Sequence, residues 1–185
     1  MKGRVTMIYV FLAEGFEEIE ALAPVDVLRR AKLEVKTVGV TGKTVKSSRG
    51  IPVTADILKD EAVLQEADAI VLPGGLPGTV NLENDEIVQQ FIDYCYENKK
   101  YLCAICAAPS VFGHKGILKG IEATAFPDFQ SHLDGAKLSD KYVVRDGIFI
   151  TARGAGVSLK FGAEIAAAFI GKEKAEEILK SMQCE

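Results

Sequence analysis

Along the chain, short runs of β-branched and other apolar residues alternate with longer segments whose apolar positions recur every three or four residues. The alternation continues from one end to the other without a low-complexity linker or an internal repeat. Runs of the first kind, at about 5–11, 34–40, 69–72, 101–105 and 147–151, predict strands; segments of the second kind, at about 16–31, 85–97, 107–115, 157–170 and 172–181, predict helices. Weaker strand character at 44–54, 121–125 and 142–145 predicts short extra strands, some of them antiparallel. Pro24 lies inside the first helical pattern and predicts a kink or a break there. Gly-rich corners, "LPGGLPG" and "ARGAG", fall where strands hand over to helices or loops. This pattern implies one α/β domain over 1–185, with a mainly parallel sheet covered by helices on both faces. In such a sheet ligands bind beyond the carboxyl ends of the strands. Four loops are thereby gathered on one rim: "LAEGFEE" after the first strand, "SSRG" at 47–50, "PGGLPG" at 73–78 and "CAAP" at 106–109.

Composition narrows the partners. With 185 residues, 48% of them hydrophobic and 26% charged, the chain can bury one sizeable core. A net charge of -4 without a Lys/Arg run leaves no electrostatic footprint for nucleic acid or an anionic membrane. A small neutral molecule or another protein is the expected partner. At the start, Lys2 and Arg4 precede an apolar run, as in a signal peptide. That run covers only Met7 to Ala13, has no cleavage site after it and leads into an acidic helix, so it predicts a core strand instead. No other stretch is long enough to span a membrane. The expected location is the cytoplasm, with Cys95, Cys103, Cys106 and Cys184 as reduced thiols.

Cys106 carries the chemical interest. "AICAA" has the spacing of a nucleophile elbow, with Ala104 and Ala108 in the places of the small flanking residues that a tight strand-to-helix corner demands. A cysteine at the first turn of the next helix would also feel that helix's positive end, which favours thiolate. The alternative is a small buried hydrophobe without chemistry. A dithiol site with Cys103 is disfavoured because Cys103 lies within the strand. No second Cys or His pair has ligand spacing, so no metal is expected. No phosphate cofactor is expected either, since "AEGFEE" brings negative charge where a phosphate loop would stand.

A reactive thiol needs a partner, and the first helix offers one. Glu18 shares its helix face with Glu14, and Glu17 with Glu20. Glu20, read at i-4, i+3, i+4 and i+7, meets Phe16, Ala23, Pro24 and Val27, an apolar stripe. A carboxyl placed there should have a raised pKa and be able to donate a hydrogen bond to a thiolate. Glu17 and Glu18 fit the ordinary role of complementing the helix dipole. In "VLPGG", glycines let backbone amides approach a ligand, and the amides of Gly75 and Ala107 can form an oxyanion hole beside Cys106.

"EGFEEIEALAPVDVLRRA", "SSRG", "VLPGG", "AICAAP" and "RGAG", in this order and spacing, resemble the ThiJ/PfpI superfamily, in the branch of bacterial ThiJ and the parkinsonism-associated protein deglycase. The resemblance covers essentially the whole chain. It implies a flavodoxin-like three-layer α/β sandwich of the class I glutamine amidotransferase-like type, assembled as a homodimer. By position it maps the reactive cysteine to Cys106, a protonated glutamate to Glu20, and oxyanion-hole amides to Gly75 and Ala107 with Gly74 supporting the turn. Site arginines fall on Arg30 and Arg49. The activities it implies are glyoxalase, protein deglycase and chaperone, in response to oxidative stress. One departure stands out: where some members carry a histidine in "THP", this chain has Ala125, Phe126 and Pro127, and Phe126 cannot shuttle protons. His114 and His132 are expected to be structural or surface residues. Without a histidine base a triad peptidase is not expected.

Two functions follow. In one, Cys106 adds to the aldehyde of methylglyoxal or of an early glycation adduct, with Glu20 moving protons. In the other, Cys106 is a non-catalytic redox sensor whose oxidation turns the dimer into a chaperone for client proteins.

Overall fold

The computed structural model describes residues 6–184. Position 5 of the first predicted strand and the two ends of the 1–185 domain lie outside that range. Seven strands form the central sheet, in the order β10-β11-β7-β6-β1-β2-β5. They are β1 (Met7–Leu12), β2 (Glu34–Gly39), β5 (Ile57–Leu58), β6 (Ala67–Leu72), β7 (Tyr101–Ile105), β10 (Val143–Asp146) and β11 (Phe149–Ala152). All neighbours run parallel except β10, which pairs antiparallel with β11. A separate antiparallel hairpin joins β3 (Thr44–Lys46) to β4 (Pro52–Thr54), and β8 (Glu122–Ala123) pairs with β9 (Lys137–Leu138). The helices are α1 (Glu18–Arg30), α2 (Gly78–Glu83), α3 (Glu86–Glu97), α4 (Pro109–His114), α5 (Ser158–Ile170) and α6 (Lys172–Ser181).

Strand pleating divides the interior into two cores. On β1, Tyr9 and Phe11 point into one layer with Phe91, Ile92 and Cys95 of α3 and Phe112 of α4. Ile8, Val10 and Leu12 point into the other, with Val27 and Leu28 of α1 and Phe161 and Ile165 of α5. The near-continuous apolar strands are therefore apolar on both faces, as a sheet covered twice requires. This is a flavodoxin-like α/β fold.

Pro24 does not break α1, which runs unbroken through it. Its missing N–H leaves the carbonyl of Glu20 without its usual i+4 donor. Pro24 also packs closely on α5: a Cβ on Gly162 would lie 2.8 Å from Pro24 Cα, so the helix pair touches along a bare backbone. Three short elements escape the sequence pattern: α2, β5 and β9 each have too few residues to display a period.

Because β2 lies on one side of β1 and β6 on the other, the strand order reverses at β1. The crevice at this switch point collects the loops after β1, β6 and β7.

Candidate active site

Each of those three loops contributes one part of the site. After β7 the chain turns at Cys106 with φ +64, a left-handed conformation that few side chains adopt. Two backbone hydrogen bonds hold it there: Cys106 N–H donates to the Ala152 carbonyl at 2.9 Å, and the Cys106 carbonyl accepts from Phe126 N–H at 2.8 Å. Such over-determined strain marks functional corners. After β1, the Glu17 side chain accepts from the Glu20 amide at 2.8 Å and caps α1. The helix then presents Glu20 inward, 1% exposed. After β6, Gly74 N–H donates to Glu20 Oε2 at 3.0 Å, while its carbonyl accepts from Glu17 N–H at 2.9 Å.

Gly74 is pressed between the two reactive groups. A Cβ at this position would stand 2.6 Å from Glu20 Oε2 and 2.7 Å from Cys106 Cβ. Gly75 has φ +87 and no room for a side chain beside Glu17 N. Its amide and that of Ala107 face the Cys106 sulfur.

The Glu20 carboxyl and the Cys106 thiol lie within hydrogen-bond reach of each other. Burial is the largest influence on Glu20, pushing it up to about 7 against the hydrogen bonds from Cys106 and from the amides of Gly74 and Ala155. Burial is also the largest influence on Cys106, followed by the charge and hydrogen bond of Glu20; together they push the thiol up to about 12. The helix-dipole argument for a resting thiolate therefore fails. Helix α4 begins only at Pro109 and is six residues long, so its positive end is remote and weak at Cys106. Near neutral pH the pair therefore holds a protonated thiol beside a carboxyl that keeps its proton well above the usual carboxylate range.

Cys106 opens into a hollow of about 320 Å³ bordered by Glu17, Arg49, Gly75, Leu76, Phe126 and Phe129 among others. The structure thus brings Cys106, Glu20, Gly74, Gly75, Ala107 and Arg49 together. It does not bring Arg30. That residue ends α1, roughly 15 Å beyond Glu20 at the helical rise per residue, pairs with Asp26 at 3.0 Å and borders a different hollow with Ile170 and Ile178. His114 and His132 are partners of each other, 3.0 Å apart, with Glu83 Oε1 2.6 Å from His114 Nδ1. Neither histidine borders the Cys106 hollow. Sequence reasoning missed the Ala155 amide, which reaches Glu20 from the "RGAG" loop, and the apolar walls Leu76 and Phe129. Their approach depends on loop conformation, for which the sequence carries no periodic signal. Among the described residues no His, Cys, Asp and Glu group is arranged to hold a metal ion.

A parallel sheet with a strained cysteine elbow at its switch point defines a class within flavodoxin-like proteins, and sequence comparison specifies it. The DJ-1/PfpI family matches residues 6–168, and the chain belongs to that family. It is 41% identical over 177 residues to Protein DJ-1 homolog B of Arabidopsis thaliana, covering 94% of this chain and 40% of that protein, so it spans less than half of that longer relative. It is 28% identical over 171 residues to the glutathione-independent glyoxalase DJR-1.2 of Caenorhabditis elegans, covering 91% of both. The crystal structure of Drosophila melanogaster DJ-1beta superposes with a TM-score of 0.92 at 34% identity, covering 98% of this chain and 99% of that one.

Proposed function

We propose that the chain is a cysteine-dependent carbonyl-stress enzyme of glyoxalase or deglycase type, acting on 2-oxoaldehydes such as methylglyoxal. The observation that carries this reading is the contact of a buried carboxyl with a thiol held at a strained elbow, with two backbone amides turned toward the sulfur. A relative named as a glutathione-independent glyoxalase supports it.

The reaction follows from the proton shared by the pair. Cys106 sulfur attacks the aldehyde carbon as its proton passes to the Glu20 carboxylate, giving a hemithioacetal. During the attack the Gly75 and Ala107 amides hold the developing oxyanion, which then takes the proton from Glu20. The freed carboxylate removes the proton from the former aldehyde carbon and delivers it to the neighbouring ketone oxygen, giving an enediol; transfer of the other hydroxyl proton through Glu20 to the adjacent carbon then gives a lactyl thioester. Water hydrolyses that thioester, releasing lactate and restoring the thiol. Methylglyoxal and one water are consumed for each lactate, with no external oxidant. Early glycation adducts carry the same 2-oxoaldehyde on an amine or thiol and enter the sequence once the carrier leaves. No step requires a histidine, which accommodates Phe126. Arg49 lies on the wall of the hollow and contributes positive potential toward the product carboxylate.

Lactate release from methylglyoxal by the purified chain tests this reading. Cys106→Ser should abolish turnover and Glu20→Gln should lower it by about a hundredfold or more. Because the carboxylate form of Glu20 takes the thiol proton, kcat/KM should rise as pH rises through about 7. Turnover that survives Cys106→Ser overturns the proposal.

A second reading, redox sensing through Cys106 with the oxidised dimer acting on client proteins in the cytoplasm, has its own support. Cys106 is half-buried beside an open hollow, whereas Cys95 and Cys103 are sealed in the core. Peroxide would take the thiol to sulfenate and then sulfinate, releasing water at each step. Mass spectrometry during a peroxide titration should find Cys106 modified first; simultaneous oxidation of all four cysteines counts against it.

A further inference from the structure

Two hollows meet at one side chain. The hollow over Cys106, about 320 Å³, has Phe126 as part of its wall. A larger cavity of about 560 Å³ lies on the other side, bounded by Phe126, Pro127, Tyr142, Arg153, Ala155 and Val157 with the intervening glycines. Phe126 is the residue that borders both. Its backbone is fixed from two directions: its N–H donates to the Cys106 carbonyl at 2.8 Å, and its carbonyl accepts from Phe129 N–H at 2.8 Å. The ring rests against the backbone of Gly154, where an added Cβ would stand 3.6 Å from Phe126 Cδ2 and 4.0 Å from Glu20 Oε1. The ring therefore stands at the edge of the reacting groups, with the second cavity behind it.

The lining of that second cavity is suited to an aromatic guest. Pro127, Tyr142, Ala155 and Val157 offer apolar surface, and the one cation, Arg153, lies 5.6 Å over the Tyr142 ring. The benzyl group of Phe126, 42% exposed, occupies the boundary between the two hollows, so a substituent on a substrate whose aldehyde carbon reaches the sulfur meets the ring before this space.

We propose that Phe126 is a partition that biases substrate size, withholding from the Cys106 hollow the adjoining apolar cavity in which an aryl substituent would bury, and so favouring 2-oxoaldehydes with small substituents. The proposal rests on the reading of Cys106 as a nucleophile toward 2-oxoaldehydes. It adds a specificity role for a residue that takes no part in the proton transfers. Truncating the ring joins the two hollows and gives an aryl group an apolar surface to bury.

Two measurements on the full chain test it. The first is kcat/KM for phenylglyoxal divided by that for methylglyoxal, compared among the unaltered protein, Phe126→Leu and Phe126→Ala. The second needs no turnover: the rate of Cys106 alkylation by phenacyl bromide divided by that by bromoacetone, each normalised to glutathione and located by mass spectrometry. Both aryl-to-methyl ratios should rise by about tenfold or more in Phe126→Ala, with Phe126→Leu between, the scale expected for one apolar pocket feature. Ratios within about twofold of the unaltered protein in both variants overturn the partition. If no variant releases lactate or mandelate, the turnover reading fails by itself, and the alkylation ratio still decides the role of Phe126. Phe126→Leu guards against misfolding, since it keeps an apolar side chain on the same backbone bonds.

Discussion

At the scale of single residues, the site depends on a carboxyl kept where carboxyls are costly. Glu20 is 1% exposed and its pKa is pushed up to about 7, so the fold prefers its protonated form. The stability this gives is complete below the ordinary carboxyl pKa of 4.5 and is lost as pH rises through about 7. Glu20→Gln, neutral at every pH, should therefore stabilise the protein at pH 8 relative to pH 5 by on the order of 2–3 kcal/mol. Thermal melts of both proteins at the two pH values check this; an equal difference at both would show that Glu20 is not held protonated. The apolar stripe of Phe16, Pro24 and Val27 made the burial of Glu20 legible in the sequence, because helix geometry places those residues around it. The thiol's raised pKa was not legible, since it comes from a residue far away in sequence and from burial that no local pattern encodes.

Single elements carry their own tests. Helix α3 is capped by Asp85, whose side chain accepts from the amides of Ile87 at 3.0 Å and Val88 at 3.1 Å and also pairs with Lys59. Asp85→Ala should cost about 1–2 kcal/mol in chemical denaturation, and a loss near zero would mean water replaces the cap. Helix α5 meets α1 through Gly162, where a Cβ would approach Pro24 Cα to 2.8 Å and Val27 Cβ to 3.2 Å. Backbone cannot move aside as a flexible side chain can, so Gly162→Val should cost about 3 kcal/mol or more, and should also disturb Glu20, one turn from Pro24. The readout is a lowered denaturation midpoint, joined on the proposed function by slower lactate formation. The long amphipathic helices were readable from their period. Pro24 misled only as to a break: close packing on Gly162 keeps the helix intact where the sequence alone predicts an interruption.

At the scale of the whole molecule, α1 leaves Ile19 (53% exposed) and Leu22 (37%) on one outward face, and Ile51 (49%) stands on the nearby β3–β4 hairpin. Such apolar exposure fits a homodimer assembled through this side. Light scattering after size exclusion should give twice the chain mass, and Ile19→Asp with Leu22→Asp should shift it toward one; a monomeric unaltered protein overturns the assembly. Among the described residues, no helix is long and apolar enough to cross a membrane. By itself, the sequence determined the α/β class, the principal strands and helices, the elbow at Cys106 and the burial of Glu20, because each is written in a local period or spacing. Only the tertiary structure decided that Arg30 is remote, that Ala155 reaches Glu20, that burial and a neighbouring carboxyl outweigh a short helix at Cys106, and that Phe126 stands between two cavities. These depend on which distant segments the sheet order brings together, and the strength of an electrostatic or packing interaction is set by that proximity and by the water it excludes.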